Sequence, residues 1–208
     1  MAARRTPETS GSPAARPLQG LSAQSLAERF AQALASAEGE AGAHCVHEWC
    51  MRGELPARIE AALARLWQHA ASSIPEWLPM RYVHFLPLLY QTAAQFRGAR
   101  RGRSNVYLVL LDYADRDGHG VGHRDDYRHG FSDSFGVYVG MSDYAPALRF
   151  DQHKAGIRAS GSVLKRGLEV LTGPTLHLQG IARSEAARIE AELAAALADA
   201  GLRVEGGH

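Results

Sequence analysis

The sequence predicts an α+β protein with an N-terminal helical extension. Two observations predict it. The runs 105–112 and 136–142 are apolar, β-branched and aromatic, and each is bounded by polar or turn-forming residues, which is how a buried strand reads. Most of 21–97, and again 184–200, instead carries apolar residues at helical spacing. With 208 residues, 46% of them hydrophobic, the chain is long enough to bury a proper core.

Residues 1–20 are rich in Ala, Arg, Pro, Ser and Gly and predict a disordered tail. No apolar stretch follows the tail, so it does not read as a secretory signal. No run approaches the roughly 20 apolar residues of a membrane span, and the expected setting is cytoplasmic, with no membrane partner. A helix is predicted from Leu21 through Phe30. The clearest one starts at Leu55, with Pro56 suited to a first turn and Ile59, Leu63, Leu66 and Trp67 on one face. Pro75, Pro79 and Pro87 punctuate the stretch that follows, whose aromatic residues need burial. This helical half, 21–97, packs on the second half or docks a partner.

Cys45 and Cys50 are the only cysteines. With His44 and His47 they suggest zinc. Four ligands within seven residues wrap one tetrahedral ion poorly, however, so free thiols are expected. The segment 98–103 reads as a basic linker, in which Arg100, Arg101 and Arg103 are candidates for tracking a phosphate backbone. Overall charge does not decide that point. The net charge is +1 and the isoelectric point about 7.9, so any anion-binding surface must be local.

Residues 104–208 hold the chemistry. The run at 136–142 contains Tyr138-Val139-Gly140. Close behind it come Arg149 and His153, four apart, with Lys154 and Arg158. If Arg149 starts a helix, Arg149 and His153 project from one face, and Lys154 and Arg158 extend a cationic stripe that binds anions. Ser184 suits an N-cap and Gly201 a C-terminal stop for the last helix. Ile189, Leu193 and Leu197 form its apolar side, and Glu190 flanks them. A phenol, a permanent cation, an imidazole and a carboxylate in this order suit the cutting of a phosphodiester.

In this order of elements the chain resembles the GIY-YIG nuclease domain over about 104–208. Val106-Tyr107 matches the first motif, Tyr138-Val139-Gly140 the second, Arg149 and His153 the following helix, and Ala186, Glu190 and Leu193 the acidic helix. The resemblance implies a small antiparallel sheet flanked by helices, and a nuclease cutting DNA or RNA with one Mg²⁺ or Mn²⁺ held by Glu190. It implies that Arg149 holds the scissile phosphate. Tyr107 or Tyr138 would position or deprotonate the attacking water, with His153 as the other candidate base. Tyr107 and Tyr138 lie 31 positions apart, so the hairpin they imply must contain a long insertion at 113–133. That insertion holds His119, His123 and His129 beside Asp115, Asp117, Asp125 and Asp126, candidate metal ligands in an otherwise solvated loop. Two further functions stay open: a nucleic-acid-binding module with lost or very low catalysis, and a protein-interaction module on an inherited fold.

Overall fold

The computed structural model describes residues 16–113 and 134–207. The insertion, with its three histidines and four aspartates, lies outside the described residues apart from Tyr113, as does the tail up to residue 15.

Helix α1 spans Ala23–Ala35. Ser22 caps it by accepting the Ser25 N–H at 3.0 Å, and Leu26, Phe30, Ala33 and Leu34 turn inward. Helix α2 spans Gly39–Met51. Gly39 packs against the backbone of Ser73 where a Cβ has no room. Helix α3 spans Pro56–Ala70, with Pro56 in its first turn. Ile59, Leu63 and Leu66 are buried as the periodicity requires, but Trp67 is 60% exposed and does not share their face. The period of 3.6 places a residue directly after Leu66 a further 100° round the helix, outside the apolar stripe. A 3₁₀ turn, Ala71–Ser73, then leads through the proline-punctuated stretch to α4, Leu86–Ala93.

The disordered-tail expectation for 1–20 fails at its C-terminal end. Residues 16–20 form a turn, with Gln19 N–H donating to Arg16 O at 3.2 Å. The cause is Glu48 on α2, only 1% exposed at its side chain. It accepts from Arg16 Nη2 at 2.7 Å and from Arg52 Nε at 2.6 Å. Arg52 in turn donates to the carbonyls of Leu18, Gln19 and Leu21. A buried carboxylate needs such partners, and they fasten the start of the described chain to α2.

Strand β1 is Arg101–Asp112 and β2 is Phe135–Ser142. They pair antiparallel from Asn105 opposite Ser142 to Asp112 opposite Phe135, so the insertion sits between paired strands. After β2 come α5, Pro146–Lys154, and α6, Gly161–Arg166. Strand β3, Gly167–Val170, adds antiparallel to the other edge of β1. A 3₁₀ turn, Gly173–Leu178, precedes α7, Arg183–Asp199, and β4 is Val204–Gly206. The sheet order is β3-β1-β2-β4. The sheet is mixed rather than wholly antiparallel, because β4 runs parallel to β2 after the α7 crossover. The cap of α7 is Ala182, not Ser184, and has no side-chain bond. Gly201, at φ +88°, ends the crossover helix in the left-handed conformation.

The segment read as a basic linker is the opening of β1. Gly102 N–H donates to Gly180 O at 2.9 Å, and Arg101 and Ser104 both bridge to Ile181. Alternation along β1 and β2 gives the sheet two different faces. Val106, Leu108, Leu110, Val137 and Val139 join the helical half and α7 in one core, so both halves of the chain share it. Tyr107, Val109 and Leu111 face the other way, onto α5 and α6, with Val163, Tyr138 and Phe150. Among the described residues no helix is long and apolar enough to cross a membrane.

Candidate active site

The face toward α5 and α6 carries the candidate site. The register sets Tyr107 opposite Gly140 and leaves Tyr138 two residues along the same face of β2. A Cβ on Gly140 would lie 2.6 Å from Tyr138 Cε1 and 2.8 Å from both Cζ and the hydroxyl of Tyr107. The absent side chain is what lets the two rings close to 6.3 Å between centroids.

Helix α5 opens with Pro146 and carries Arg149 and His153 one turn apart. His153 is buried. Its Nδ1 accepts the Ser160 N–H at 2.9 Å, and its Nε2 lies 3.0 Å from the Tyr107 hydroxyl. An Nδ1 that accepts leaves the proton of the neutral ring on Nε2, which therefore donates to Tyr107. Burial, with Arg149 nearby, pushes the imidazole down to about 4 from its ordinary 6.5. Both ring nitrogens of the neutral side chain are thus engaged, and His153 has no lone pair for a substrate proton. The expectation of His153 as a base is corrected on this ground: it orients and polarises Tyr107.

Arg149 is fixed by the turn after its helix. Nη1 donates to Gln152 Oε1 at 3.1 Å and to Ile157 O at 3.2 Å, and Nη2 donates to Arg158 O at 2.7 Å. The chain bends back through two left-handed residues, Gly156 at φ +77° and Arg158 at φ +46°, to present those carbonyls. The non-glycine costs roughly 1–2 kcal/mol there. Arg158 therefore lies beyond α5 and off the cationic stripe, and its carbonyl, not its guanidinium, serves the site. Lys154 also turns elsewhere: Nζ donates to Leu164 O and Gly167 O, both at 3.1 Å, tying α6 to β3.

Both phenols are held in their neutral form. Burial raises Tyr107 first, Tyr138 and Glu190 add to it, and Arg149 opposes them through its charge and a hydrogen bond. Burial also raises Tyr138 first, then Glu190, against Arg149 and the hydroxyls of Tyr107 and Ser160. Arg149 and Glu190 thus both act on the two phenols through their charges, and the His153 ring completes a triangle with them, 6.5 Å from Tyr107 and 5.9 Å from Tyr138.

Glu190 arrives from the opposite side. Helix α7 packs Ile189 and Leu193 into the core under β1 and β2. Along β2 the N–H groups of Val137, Val139 and Met141 point to the same edge, since alternate residues share a direction. Val137 donates to Arg203 O at 2.9 Å, and β4 runs beside Val139 as far as Gly206. Beyond that point the edge is open, and the Met141 N–H bonds the Glu190 carboxylate there. Burial pushes Glu190 up to about 7 from 4.5, with only the Met141 amide set against it. A desolvated carboxylate raised this far is an acid that a cation would stabilise as its anion. Glu190 is the site residue that could hold a divalent ion. No group of three or more acidic, His or Cys side chains with metal-holding geometry occurs among the described residues, so such an ion would take its other oxygens from water and substrate.

The remaining candidates lie outside this constellation. Arg100 donates its backbone N–H to Glu185 Oε2 at 2.9 Å, and its exposed guanidinium lies 3.7 Å from Oε1. Arg101 and Arg103 are exposed at the start of β1. Cys45 and Cys50 are buried free thiols on α2, pushed up by burial to about 11 and about 12. Sequence reasoning missed Ser160, whose amide sets the His153 tautomer, and the Met141 amide. Backbone donors carry no residue-type signal, and only the fold reveals them.

None of the comparisons, with family models, with curated proteins and with solved structures, gives a significant match to this chain.

Proposed function

We propose that this protein is a divalent-metal-dependent nuclease that hydrolyses phosphodiester bonds in DNA or RNA. The observation that carries the reading is the grouping of Tyr107, Tyr138, Arg149 and His153 on one sheet face, where both phenols also feel the charge of Glu190. The likeness to the GIY-YIG domain supports it, since its motif residues fall on β1, β2, α5 and α7 in that order.

Arg149 holds the scissile phosphate. Three of its contacts go to Gln152 and the turn carbonyls, which fix the guanidinium plane before substrate arrives; a guanidinium has five N–H donors, so others stay available for anionic oxygens. Preorganised donors of this kind stabilise charge as it develops. Tyr107 receives the His153 Nε2–H, so its own proton points away from His153 and toward Tyr138; an attacking water would take that hydrogen bond over. Its phenolate is favoured by Arg149, through charge and a hydrogen bond, and opposed by burial, by Tyr138 and by the charge of Glu190. Neutralising Glu190 therefore moves Tyr107 toward acting as a base. Tyr138 orients the same water. Glu190 would hold Mg²⁺ or Mn²⁺, which supplies Lewis acidity to the leaving oxygen.

A second reading, a binding module with little catalysis, is favoured by Arg149, several of whose donors already serve the protein's own carbonyls. Incubation of the pure protein with labelled single-stranded, double-stranded and branched DNA and with RNA, with and without Mg²⁺ or Mn²⁺, decides between them. Cleavage that needs metal and is lost in Arg149→Ala and Glu190→Ala supports the nuclease. Binding without cutting under every metal supports the module. Cleavage that survives Glu190→Ala rejects the metal assignment.

A further inference from the structure

The hydrogen bonds of the two site phenols continue past them. Tyr107 donates to Tyr138, and Tyr138 is bonded in turn to the Ser160 hydroxyl. Ser160 Oγ lies 2.9 Å from Ser162 Oγ. The Ser162 hydroxyl bonds the carboxylate of Glu205. Glu205 is the β4 residue in register with Tyr138, so the series passes through the start of α6 and returns to the strand beside the one it left.

Both ends of the series have a fixed polarity. At one end His153 Nε2 is a donor, since Nδ1 takes the Ser160 N–H. At the other end Glu205 is an acceptor. Burial would raise its carboxyl, but Tyr113, Ser162, Arg166 and Arg203 together hold it below the usual carboxylate range, so it is ionised at neutral pH. With a donor at one end and an acceptor at the other, each hydroxyl between them donates toward Glu205, and bonds aligned in this way polarise one another. Tyr107 already accepts from His153 and from Arg149, so while protonated it serves a water as a donor. Once a water takes over the Tyr107 O–H, the Tyr138 oxygen has lost its donor and accepts from that water instead.

We propose that Ser160, Ser162 and Glu205 form a proton relay that carries the attacking water's proton from Tyr138 to the β4 edge. The proposal rests on the nuclease reading and gives a protonated phenol a way to act as the base. As the water oxygen bonds to phosphorus, its proton passes to Tyr138, the Tyr138 proton to Ser160, that of Ser160 to Ser162, and that of Ser162 to Glu205. The leaving oxygen departs with the electron pair of its P–O bond and is protonated from solvent, to which Glu205 returns its own proton. Burial pushes both phenols up and disfavours a phenolate, but this route needs none. Arg149, Glu190 and His153 face the phenols, and Tyr113, Arg166 and Arg203 face Glu205.

The test is the pH profile of single-turnover cleavage, from about pH 8 to about pH 9.5 at saturating Mg²⁺, on whichever labelled DNA or RNA the wild type cuts fastest. The wild-type profile should be nearly flat, because its base is a neutral phenol. Ser162→Ala cuts the relay, so only a phenolate can take the proton. Its rate should fall by about 10²-fold near the lower pH and recover about tenfold per pH unit. Glu205→Gln keeps an acceptor for Ser162 but cannot take up a proton, and should follow Ser162→Ala. Ser162→Thr restores the hydroxyl and should restore both rate and slope. A Ser162→Ala profile parallel to wild type, at full or uniformly reduced rate, overturns the relay and leaves the nuclease reading in place. If Ser162→Ala does not fold, a Glu205→Gln profile parallel to wild type overturns it on the same ground. A wild-type protein that cleaves none of the substrates with any metal overturns both readings together.

Discussion

The Tyr107 hydroxyl and His153 Nε2 lie 3.0 Å apart, with the imidazole proton between them and the phenol proton directed elsewhere. The direction is set one bond away, where the Ser160 amide occupies Nδ1. His153 should therefore stay in the neutral Nε2–H tautomer well below the usual titration range. Its folded pKa, about 4, lies below the ordinary 6.5, so its stabilising contribution is complete above 6.5 and lost as pH falls through about 4. Two-dimensional ¹⁵N spectra of the imidazole should show that tautomer unchanged from pH 8 to about pH 5.5. An Nδ1–H tautomer would remove the orienting role assigned to this residue. Tyr107→Phe should cut metal-dependent cleavage by about 10²-fold or more, and should lower the melting temperature as well, since it leaves the buried His153 N–H without its acceptor.

Glu190 carries the opposite sign. Its folded pKa, about 7, lies above the ordinary 4.5. The protonated form is favoured in the folded state, so this contribution to stability is full below 4.5 and lost as pH rises through about 7. Glu190→Gln should match wild type in melting temperature near pH 4 and exceed it near pH 8, by about 2–4 °C for each kcal/mol relieved. Saturating Mn²⁺ should stabilise the wild type, by about 2.7 kcal/mol at one hundred times its dissociation constant, and leave Glu190→Gln unmoved. Equal Mn²⁺ shifts in both proteins would place the ion elsewhere.

Gly140 lets the two phenols approach each other by having no side chain. Gly140→Ala pushes a methyl carbon to 2.6 Å from Tyr138 Cε1 and 2.8 Å from the Tyr107 hydroxyl. Denaturant unfolding should show a loss of about 1–3 kcal/mol, the usual cost of overpacking. Cleavage measured at full folding should fall as well, because both rings must move.

Arg149→Lys keeps the charge but loses the planar fork that three acceptors of the protein itself now hold. Activity should drop by about 10²–10³-fold, close to the loss in Arg149→Ala. A lysine variant with near wild-type cleavage would show that charge alone suffices.

The Arg16–Glu48–Arg52 group gives a prediction independent of function. Glu48→Ala leaves two partly buried guanidiniums without their shared carboxylate. Urea unfolding should register a loss of about 3–5 kcal/mol. Residues 16–21 should become accessible to proteolysis, since Arg52 holds their carbonyls only while Glu48 aligns it.

Periodicity by itself determined the central strands and the longer helices, but not β3, β4 or α6. The strand runs around Tyr107 and Tyr138, the helix at Pro56, and a helix carrying Glu190 beside an apolar stripe are all written in side-chain spacing, because a strand or helix buries a face that recurs every two or every 3.6 residues. What each face meets is a long-range matter. Only the tertiary structure decided that β4 would run parallel to β2 and stop at Gly206, leaving the Met141 amide for Glu190. Only it decided that Lys154 would cap α6 and β3, and that Arg158 would lend a carbonyl and not a charge. Those choices rest on backbone donors and acceptors, which every residue carries alike, so the sequence holds no mark of them until the chain has folded.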